Sequence, residues 1–277
     1  MKIEKIEKKL LSWVGQAIQD FQLISPQDKI CVALSGGKDS WVLLRLLELL
    51  RRRSPVSFEL LAFHVDQGYY DLDKAEIQNY QLDHMAYQIQ ISEMETYLKK
   101  HRYPYVIQKL NSSHIFDFSV SSKKDSSTLP CAPCARFRRG FLFRKSTEMG
   151  FNKLALGHHL DDSMETFLLN IFFTGRMAAM AAKMKADDYP ITVIRPLIYA
   201  SEEIVADYAK LCRFPLVPCP CPVSCEHPQA ALSQRKKMKK LIRNLSEDIP
   251  QIRDSFRRGL QNIDPQKLYD LRLWSSS

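Results

Sequence analysis

A short run of serine, glycine, lysine and aspartate has the composition of a phosphate-binding loop. It reads Ser35-Gly36-Gly37-Lys38-Asp39-Ser40. The run joins an apolar segment directly to an amphipathic one. Glycines let backbone amides turn toward an anion, and the N-terminus of a following helix adds unpaired N–H groups and the positive end of its dipole. Two serine hydroxyls and one lysine would add donors and charge. The run therefore predicts a phosphate site, and it lacks the spacing of a Walker A loop.

Carboxylates near this loop suit a metal-assisted reaction. Asp39 belongs to the loop itself, where it either holds Mg²⁺ beside phosphates or caps the helix. Asp161 and Asp162 follow the segment Gly157-His158-His159 and a short apolar run. They either cap the next helix or coordinate Mg²⁺ and act on a substrate. Each of the two histidines is either a base or a positioning and packing residue.

Seven cysteines occur in a chain whose N-terminus lacks the apolar stretch of a signal peptide. Cys31 and Cys212 stand alone in apolar surroundings, which predicts core positions. The other five form two clusters: Cys131 with Cys134, and Cys219 with Cys221 and Cys225. Clustered thiols in a reducing compartment indicate a zinc site, a redox pair or an iron–sulfur site.

Composition and charge limit the class of protein. The chain has 277 residues, 45% of them hydrophobic, and a formal net charge of +9. These values predict one sizeable core, a cytoplasmic location, no membrane span and a polyanionic partner such as nucleic acid. A generic solvated basic surface is the alternative. The candidate RNA-binding residues are Arg136, Arg138, Arg139, Arg235, Lys236, Lys237, Lys239 and Lys240.

Apolar runs alternate with helical patterns along most of the chain, which predicts an α/β fold with a doubly wound parallel sheet. Expected strands are 29–34, 58–65, 105–110, 153–156 and 191–194, and expected helices are 3–21, 40–52, 73–100, 135–149, 161–173 and 202–211. The polar stretch 112–130 is long for a structureless loop and is expected to be functional or mobile. We expect an N-terminal helix over 1–27, a nucleotide domain over 28–215, and the second cysteine cluster with a basic helical tail over 216–277.

Three motifs together resemble one family. Ser35 to Ser40 resembles the S-G-G-x-D-S motif of PP-loop, N-type ATP pyrophosphatases. Gly157 to Asp162 resembles the G-H-x-x-D-D motif of their tRNA-thiolating branch. The segment Cys131-Ala132-Pro133-Cys134-Ala135-Arg136-Phe137-Arg138-Arg139-Gly140 resembles the C-x-x-C-x-R-x-R-R-G segment of the tRNA-cytidine 2-sulfurtransferases. The resemblance extends over about residues 28–245 and implies the adenine nucleotide alpha hydrolase-like fold.

The resemblance also implies roles for individual residues. The ATP-binding residues would be Ser35, Gly36, Gly37, Lys38, Asp39, Ser40, His64, Val65 and Gly157, with the adenine edge met by backbone atoms of His64 and Val65. The catalytic residues would be Lys38, Asp39, Asp161 and Asp162. A 4Fe-4S cluster would be held by three cysteines, namely Cys131, Cys134 and Cys221. The family pattern P-C-x-x-C is altered here, so Cys225 or Cys219 is the alternative third ligand, and zinc is the alternative metal.

The implied reaction is ATP-dependent thiolation of a cytidine in the anticodon loop of tRNA, with Mg²⁺ and with release of AMP and pyrophosphate. The implied partners are tRNA, a sulfur donor such as a cysteine desulfurase, and a second copy of the chain in a homodimer. Three other functions are considered. They are a thiolase for another nucleoside such as uridine, a cluster-free PP-loop ligase of lysidine-forming or amidating type, and a zinc-containing RNA-binding module without enzymatic activity.

Overall fold

The computed structural model describes residues 2–66, 84–110, 131–217 and 234–269. The chain divides into two compact units. The first, here called the sheet unit, consists of Met1–His159 and Ala181–Ser233. The second, here called the helical unit, consists of Leu160–Met180 and Gln234–Ser277.

The sheet unit alternates strands and helices. Its strands are β1 (Lys29–Ala33), β2 (Glu59–Asp66), β3 (Tyr105–Lys109), β4 (Lys153–Ala155), β5 (Lys183–Lys185) and β6 (Thr192–Ile194). Its helices are α1 (Lys2–Phe21), α2 (Lys38–Arg53), α3 (His84–Lys100), α4 (Cys131–Glu148) and α6 (Glu202–Cys212). The helix α5 belongs to the helical unit.

The sheet has the strand order β3-β2-β1-β4-β6-β5, and all neighbours are parallel except β5 and β6. The order reverses between β1 and β4, because β2 lies on one side of β1 and β4 on the other. A ligand crevice forms at such a reversal, outside the carboxyl ends of the strands. The loops that follow β1 and β4 therefore leave the sheet at the same crevice.

Helices cover both faces of the sheet because consecutive residues of β1 point to opposite sides. Ile30 and Val32 belong to a large apolar cluster with residues of α1, α2, α3 and α6. Cys31 belongs to a second cluster with Phe63, Leu154 and residues of α4. Two apolar layers on one sheet are the arrangement of a doubly wound fold.

A buried ion pair joins the start of β4 to the turn before β1. Lys153 Nζ lies 2.5 Å from Asp28 Oδ2, and both side chains are 7% exposed. Lys153 also donates to the carbonyl oxygen of Leu23 at 2.6 Å. Burial raises the pKa of Asp28, but hydrogen bonds from Lys153, Ser25 and Asn152 outweigh burial and leave this pKa below its usual value.

The helical unit contains α5 (Leu160–Thr174), α7 (Gln234–Asp248), α8 (Ile252–Gln261) and a 3-10 turn at Pro265–Lys267. Its core consists of Leu160, Met164 and Ile242, with Leu168, Ile252 and Phe256 packed against them. The ring of Phe256 also meets Phe167 edge-on, with centroids 5.1 Å apart. The basic tail is thus a pair of helices packed on α5.

The observed elements confirm the α/β class, and the sheet is parallel apart from its β5 edge. The predicted helix 73–100 is seen from His84 onward, and residues 73–83 and 112–130 lie outside the described residues. The sequence gives no sign of β5, whose three residues are all exposed. Along the described part of the chain, no helix is long and apolar enough to cross a membrane.

Candidate active site

The loop between β1 and α2 has the backbone of an anion site. Gly36 has φ +86°, in the left-handed region that favours glycine. Gly37 is the N-cap of α2, and no side chain makes a capping hydrogen bond there. The first amides of α2 are therefore left without a side-chain cap, which is the state in which a helix N-terminus binds an anion.

Ser35 and Ser40 hold the loop in shape. The Ser40 hydroxyl donates to the carbonyl oxygen of Gly37 at 2.8 Å and accepts from the amide of Ser35 at 3.2 Å. The Ser35 hydroxyl lies 3.2 Å from that of Ser40 and accepts from the amide of Gly37 at 3.3 Å. These contacts assign both serines a structural part in the loop beside their predicted contact with phosphate.

Lys38 lies between two carboxylates. Its Nζ is 3.0 Å from Asp39 Oδ1 and 3.2 Å from Glu202 Oε1, at the start of α6. Burial lowers the pKa of Lys38, but the charges and hydrogen bonds of Asp39 and Glu202 raise it by more. The pKa of Lys38 is therefore above its usual value. Lys38 is therefore a fixed cation at neutral pH.

Asp39 has an oxygen suited to a metal ion. Its Oδ1 is buried and accepts no hydrogen bond within the described ranges, although Lys38 and His159 lie 3.0 and 3.9 Å away. A buried carboxylate oxygen without a donor costs free energy unless a cation or ligand satisfies it. Oxygen is the ligand that Mg²⁺ prefers, so Asp39 fits the predicted Mg²⁺ contact.

Gly157 brings the loop after β4 against the loop after β1. A Cβ at Gly157 would lie 2.9 Å from the carbonyl carbon of Asp39 and 3.0 Å from the amide nitrogen of Ser40. Real Cβ atoms do not approach backbone that closely, so only glycine fits. The next residues are also anchored, since Arg195 donates to Nδ1 of His158 at 3.3 Å and His159 is buried. The structure thus brings Gly157 to the PP-loop, as the sequence predicts for one ATP site.

His64 supports the start of the PP-loop with its side chain. Its Nδ1 lies 2.8 Å from the carbonyl oxygen of Leu34. Burial lowers the pKa of His64 more than the Leu34 carbonyl and the charge of Asp66 raise it, so the ring is neutral at pH 7. A carbonyl only accepts, so Nδ1 carries the proton. Nε2 is then a buried acceptor without a partner in the parts of the chain that are described.

The backbone of His64 and Val65 extends beyond β1. The β1–β2 ladder ends where Ala33 faces Phe63, whereas the β2–β3 ladder continues to Asp66 and Lys109. This overhang of β2 lies at the crevice end of the sheet. The adenine contact of His64 and Val65 stays a prediction.

The segment that precedes the second cysteine cluster is attached to the PP-loop. The amide of Val217 donates to the carbonyl oxygen of Gly36 at 3.1 Å. A Cβ at Gly36 would lie 2.6 Å from the Cβ of Val217. Trp41 Nε1, in the first turn of α2, donates to the carbonyl oxygen of Pro215 at 2.9 Å. The chain therefore passes directly over the nucleotide loop before it reaches residue 218.

Cys31 and Cys212 lie in the core, as the sequence predicts. Cys31 is fully buried, and burial raises the pKa of its thiol to about 12. Cys212 is half-buried in the core, and burial raises its pKa as well. Both stay protonated at neutral pH and are poor metal ligands. Cys131 and Cys134 stand in the first turn of α4, whereas Cys219, Cys221 and Cys225 lie outside the described residues.

The predicted acid pair lies at the start of α5, in the helical unit. Asp161 is paired with Arg253 at 2.8 Å, and Asp162 is paired with Arg235 at 2.8 Å. Arg235 also contacts the buried Glu165 at 2.7 Å. The structure thus places Arg235, a predicted RNA contact, on two carboxylates.

The remaining predicted RNA contacts stand at the surface. Arg136 and Arg139 of α4 are exposed, and Arg138 is partly exposed. In the helical unit, the exposed lysines of α7 are Lys236, Lys237, Lys239 and Lys240. Lysine and arginine are the side chains that contact the phosphate groups of a nucleic acid.

Sequence reasoning missed Glu202 and Arg253, which contact Lys38 and Asp161. Each lies far along the chain from its partner, and neither stands in a motif. One signal was present for Glu202, because it begins a helix that follows a strand, and the ligand crevice lies outside the carboxyl ends of the strands. No pattern in the sequence indicated that Arg253 would contact Asp161.

Proteins of known name match nearly the whole chain. A family model described as a PP-loop domain matches residues 4–217. The tRNA-cytidine(32) 2-sulfurtransferase of Syntrophotalea carbinolica is 40% identical over 270 residues, which are 98% of this chain and 95% of that protein. The protein of the same name from Citrifermentans bemidjiense is 42% identical over 257 residues, 93% of this chain and 91% of that one.

A solved structure shows the same fold. The U34-tRNA thiolase NcsA from Methanococcus maripaludis, solved with its 4Fe-4S cluster, superposes with a TM-score of 0.65 at 24% identity, covering 95% of this chain and 81% of that chain. The family model and the identities of about 40% indicate the same family as the motifs in the crevice loops. The chain belongs to the tRNA-cytidine(32) 2-sulfurtransferase family of PP-loop proteins.

Proposed function

We propose that this chain is an ATP-dependent tRNA sulfurtransferase that converts cytidine at position 32 of the anticodon loop into 2-thiocytidine. The observation that carries the proposal is the contact of Gly157 with the backbone of Asp39 and Ser40. It joins two of the three family motifs in one nucleotide crevice, in a chain about 40% identical to sulfurtransferases of that name.

The activation step uses the PP-loop. The O2 oxygen of the cytidine attacks the α-phosphorus of ATP, and the bond to the β-phosphate bridging oxygen breaks. Pyrophosphate leaves into the loop, where the amides at the start of α2 and the charge of Lys38 offset its negative charge. Asp39 would hold Mg²⁺ on the departing phosphates through its buried Oδ1.

The transfer step replaces the activated oxygen with sulfur. Sulfur at the level of hydrosulfide (HS⁻) forms a bond to C2 of the base and releases its proton, and the C2–O bond breaks so that the oxygen leaves with AMP. We propose that Asp161 and Asp162 serve this reaction as acids, bases or metal contacts, as their motif implies. The overhanging backbone of His64 and Val65 would bind the adenine edge.

The cysteines fit an iron–sulfur cluster by the chemistry of their donor set. Cys131 and Cys134 are three positions apart in the sequence, in the first turn of α4. The two described cysteines elsewhere are protonated core residues. Cys131 and Cys134 would hold the cluster together with Cys221, or with Cys225 or Cys219. The cluster, when bound by three cysteines, supplies an open iron for the sulfur that is transferred.

The substrate enters as single-stranded RNA, because sequence-specific contacts with RNA are made to loop bases. The exposed arginines of α4 and the lysines of α7 would bind the tRNA backbone. The tRNA substrate implies a cytoplasmic reaction. A cysteine desulfurase is the proposed sulfur donor, and a homodimer is the proposed assembly.

Mass spectrometry of tRNA nucleosides tests the proposal. A strain without this gene should lack 2-thiocytidine, and the wild-type chain should restore it. Asp39→Asn should not restore it. Asp187→Asn is the matched control, because Asp187 is an exposed residue in the turn between β5 and β6, and it should restore the nucleoside fully.

The same measurement separates the alternatives. Loss of 2-thiouridine with 2-thiocytidine intact would indicate a uridine thiolase. Normal levels of every thiolated nucleoside would reject thiolation. A purified chain that binds tRNA but releases no pyrophosphate from ATP would reject the enzymatic function.

A further inference from the structure

The acids at the start of α5 are held by arginines from the two C-terminal helices. Asp161 and Asp162 stand in the first turn of α5, and Glu165 follows one turn later. Asp161 and Glu165 are buried at 4% exposure each. Adjacent carboxylates repel each other, and burial raises the cost of their charges. The geometry of the arginines determines which orientation each acid takes.

Arg253 of α8 fixes Asp161. Its Nε donates to Asp161 Oδ1 at 2.8 Å, and the side chains are 26% and 6% exposed. The guanidinium is itself oriented, since Nη1 donates to the hydroxyl of Ser246 at 3.1 Å. That hydroxyl donates in turn to the carbonyl oxygen of Ile242 at 2.6 Å. A chain of hydrogen bonds therefore runs from the backbone of α7 to Asp161.

Arg235 of α7 fixes the other two acids. Its Nε donates to Glu165 Oε2 at 2.7 Å, and its Nη2 donates to Asp162 Oδ1 at 2.8 Å. Burial raises the pKa of Glu165, and Arg235 opposes that rise. Two N–H donors of the Arg235 guanidinium are thus occupied by carboxylates in charge-assisted hydrogen bonds.

We propose that Arg253 and Arg235 are positioning residues for the acid pair, so that α7 and α8 complete the catalytic apparatus in addition to binding RNA. This inference rests on the proposed part of Asp161 and Asp162 in thiolation. Arg253 acts through Asp161, and Arg235 acts through Asp162 with Glu165 as its anchor. The tail thereby couples the site that holds tRNA to the orientation of the acids.

Steady-state kinetics with the full-length chain tests the proposal. The measurements are kcat for 2-thiocytidine formation at saturating tRNA and ATP, and the Kd of unmodified tRNA. Arg253→Met should lower kcat about tenfold to 100-fold, because a small displacement of a catalytic group has that effect, while the Kd of tRNA stays unchanged. Arg253→Lys should recover part of kcat. Arg258→Met is the matched control, since Arg258 is exposed on the same helix, and its kcat should equal that of the wild type.

A double variant separates positioning from a general loss of structure. If Arg253 acts through Asp161, Arg253→Met combined with Asp161→Asn should have the same kcat as Asp161→Asn alone. Multiplied losses would reject the inference. So would a raised Kd for tRNA with unchanged kcat, which is the behaviour of a phosphate contact. A wild-type chain that forms no 2-thiocytidine would instead reject the proposed function, and this inference with it.

Discussion

Gly36 shows how much of the nucleotide loop depends on one residue. It combines φ +86° with a position where a Cβ would lie 2.6 Å from the Cβ of Val217. Gly157 depends on the second property alone, because a Cβ there would meet the backbone of Asp39 and Ser40. Both glycines are required by geometry that the sequence motif implies but does not explain.

Gly36→Ala should lower the free energy of unfolding by about 1–3 kcal/mol, because the left-handed backbone and the contact with Val217 both become strained. It should also weaken ATP binding about tenfold, since the amides of the loop are displaced. Calorimetric titration with ATP and thermal unfolding measure the two effects.

Gly15→Ala is the control for this change. Gly15 lies within α1, and a Cβ there meets nothing within 4 Å. Alanine should therefore stabilise the chain by about 1 kcal/mol through helix propensity, with ATP binding unchanged. Equal ATP affinity in Gly36→Ala and the wild type would contradict the part assigned to the loop.

At the residue scale, the sequence predicts those site residues that stand together in one contiguous motif. The order Ser35 to Ser40 predicts an anion loop because its backbone and its charges are contiguous in the chain. Glu202 and Arg253 were missed because their partners, Lys38 and Asp161, lie 164 and 92 residues away. Such pairs depend on tertiary packing, which no local pattern encodes.

At the scale of elements, α2 connects the nucleotide loop to the chain before residue 218. Trp41 stacks on Phe214 with centroids 5.6 Å apart and planes at 6°. Nε1 of Trp41 donates a hydrogen bond to the carbonyl oxygen of Pro215 at 2.9 Å. α2 therefore contacts the segment 214–217, and this segment contacts the loop through the hydrogen bond between Val217 and Gly36.

Trp41→Phe should lower the free energy of unfolding by about 1 kcal/mol, because the partly buried carbonyl of Pro215 loses its donor while most of the apolar contact stays. The affinity for ATP should fall with it, since Val217 no longer fixes Gly36. Chemical denaturation and nucleotide titration measure these effects.

Trp13→Phe on α1 is the matched control. Trp13 is half-buried, and Lys9 lies 4.7 Å from its ring centroid, so the loss should stay below about 1 kcal/mol. ATP affinity should not change. A Trp41→Phe chain as stable as Trp13→Phe would show that the hydrogen bond to Pro215 does not hold the segment.

Element prediction succeeded where periodicity is strong. The repeated leucines of α2 and the apolar runs of β1 and β2 define their own structure, because buried elements need such patterns. β5 was missed because Lys183, Met184 and Lys185 are exposed and pair only at an edge. A three-residue edge strand carries no apolar pattern from which it could be predicted.

At the scale of the whole molecule, the chain combines the sheet unit, which contains the nucleotide loop, with the basic helical unit. The fold class could be predicted from the alternation of strands and helices. The grouping of α5 with α7 and α8 could not, because their shared core joins residues such as Met164 and Ile242 that are distant in the sequence. The division into parts at residues 27 and 215 remains a prediction.

The cysteine set gives the prediction that tests the whole reaction. Anaerobic reconstitution with iron and sulfide should give the wild-type chain a brown chromophore. Cys131→Ser and Cys134→Ser should abolish it, because a cluster cannot keep its site with two of three thiolates. Cys212→Ser should keep it, since the half-buried Cys212 thiol belongs to the core and stays protonated.

The visible spectrum of the reconstituted chain also identifies the third cysteine ligand of the proposed cluster. Serine substitutions at Cys219, Cys221 and Cys225 should each be compared, and we expect only Cys221→Ser to remove the chromophore. Loss with Cys225→Ser or Cys219→Ser instead would move the ligand to that residue without rejecting the cluster. A colourless wild-type chain that binds stoichiometric zinc would reject the cluster. The proposed nucleotide site would stand in that case, because its predicted ATP contacts include Gly36, Lys38 and Gly157 and none of the cysteines.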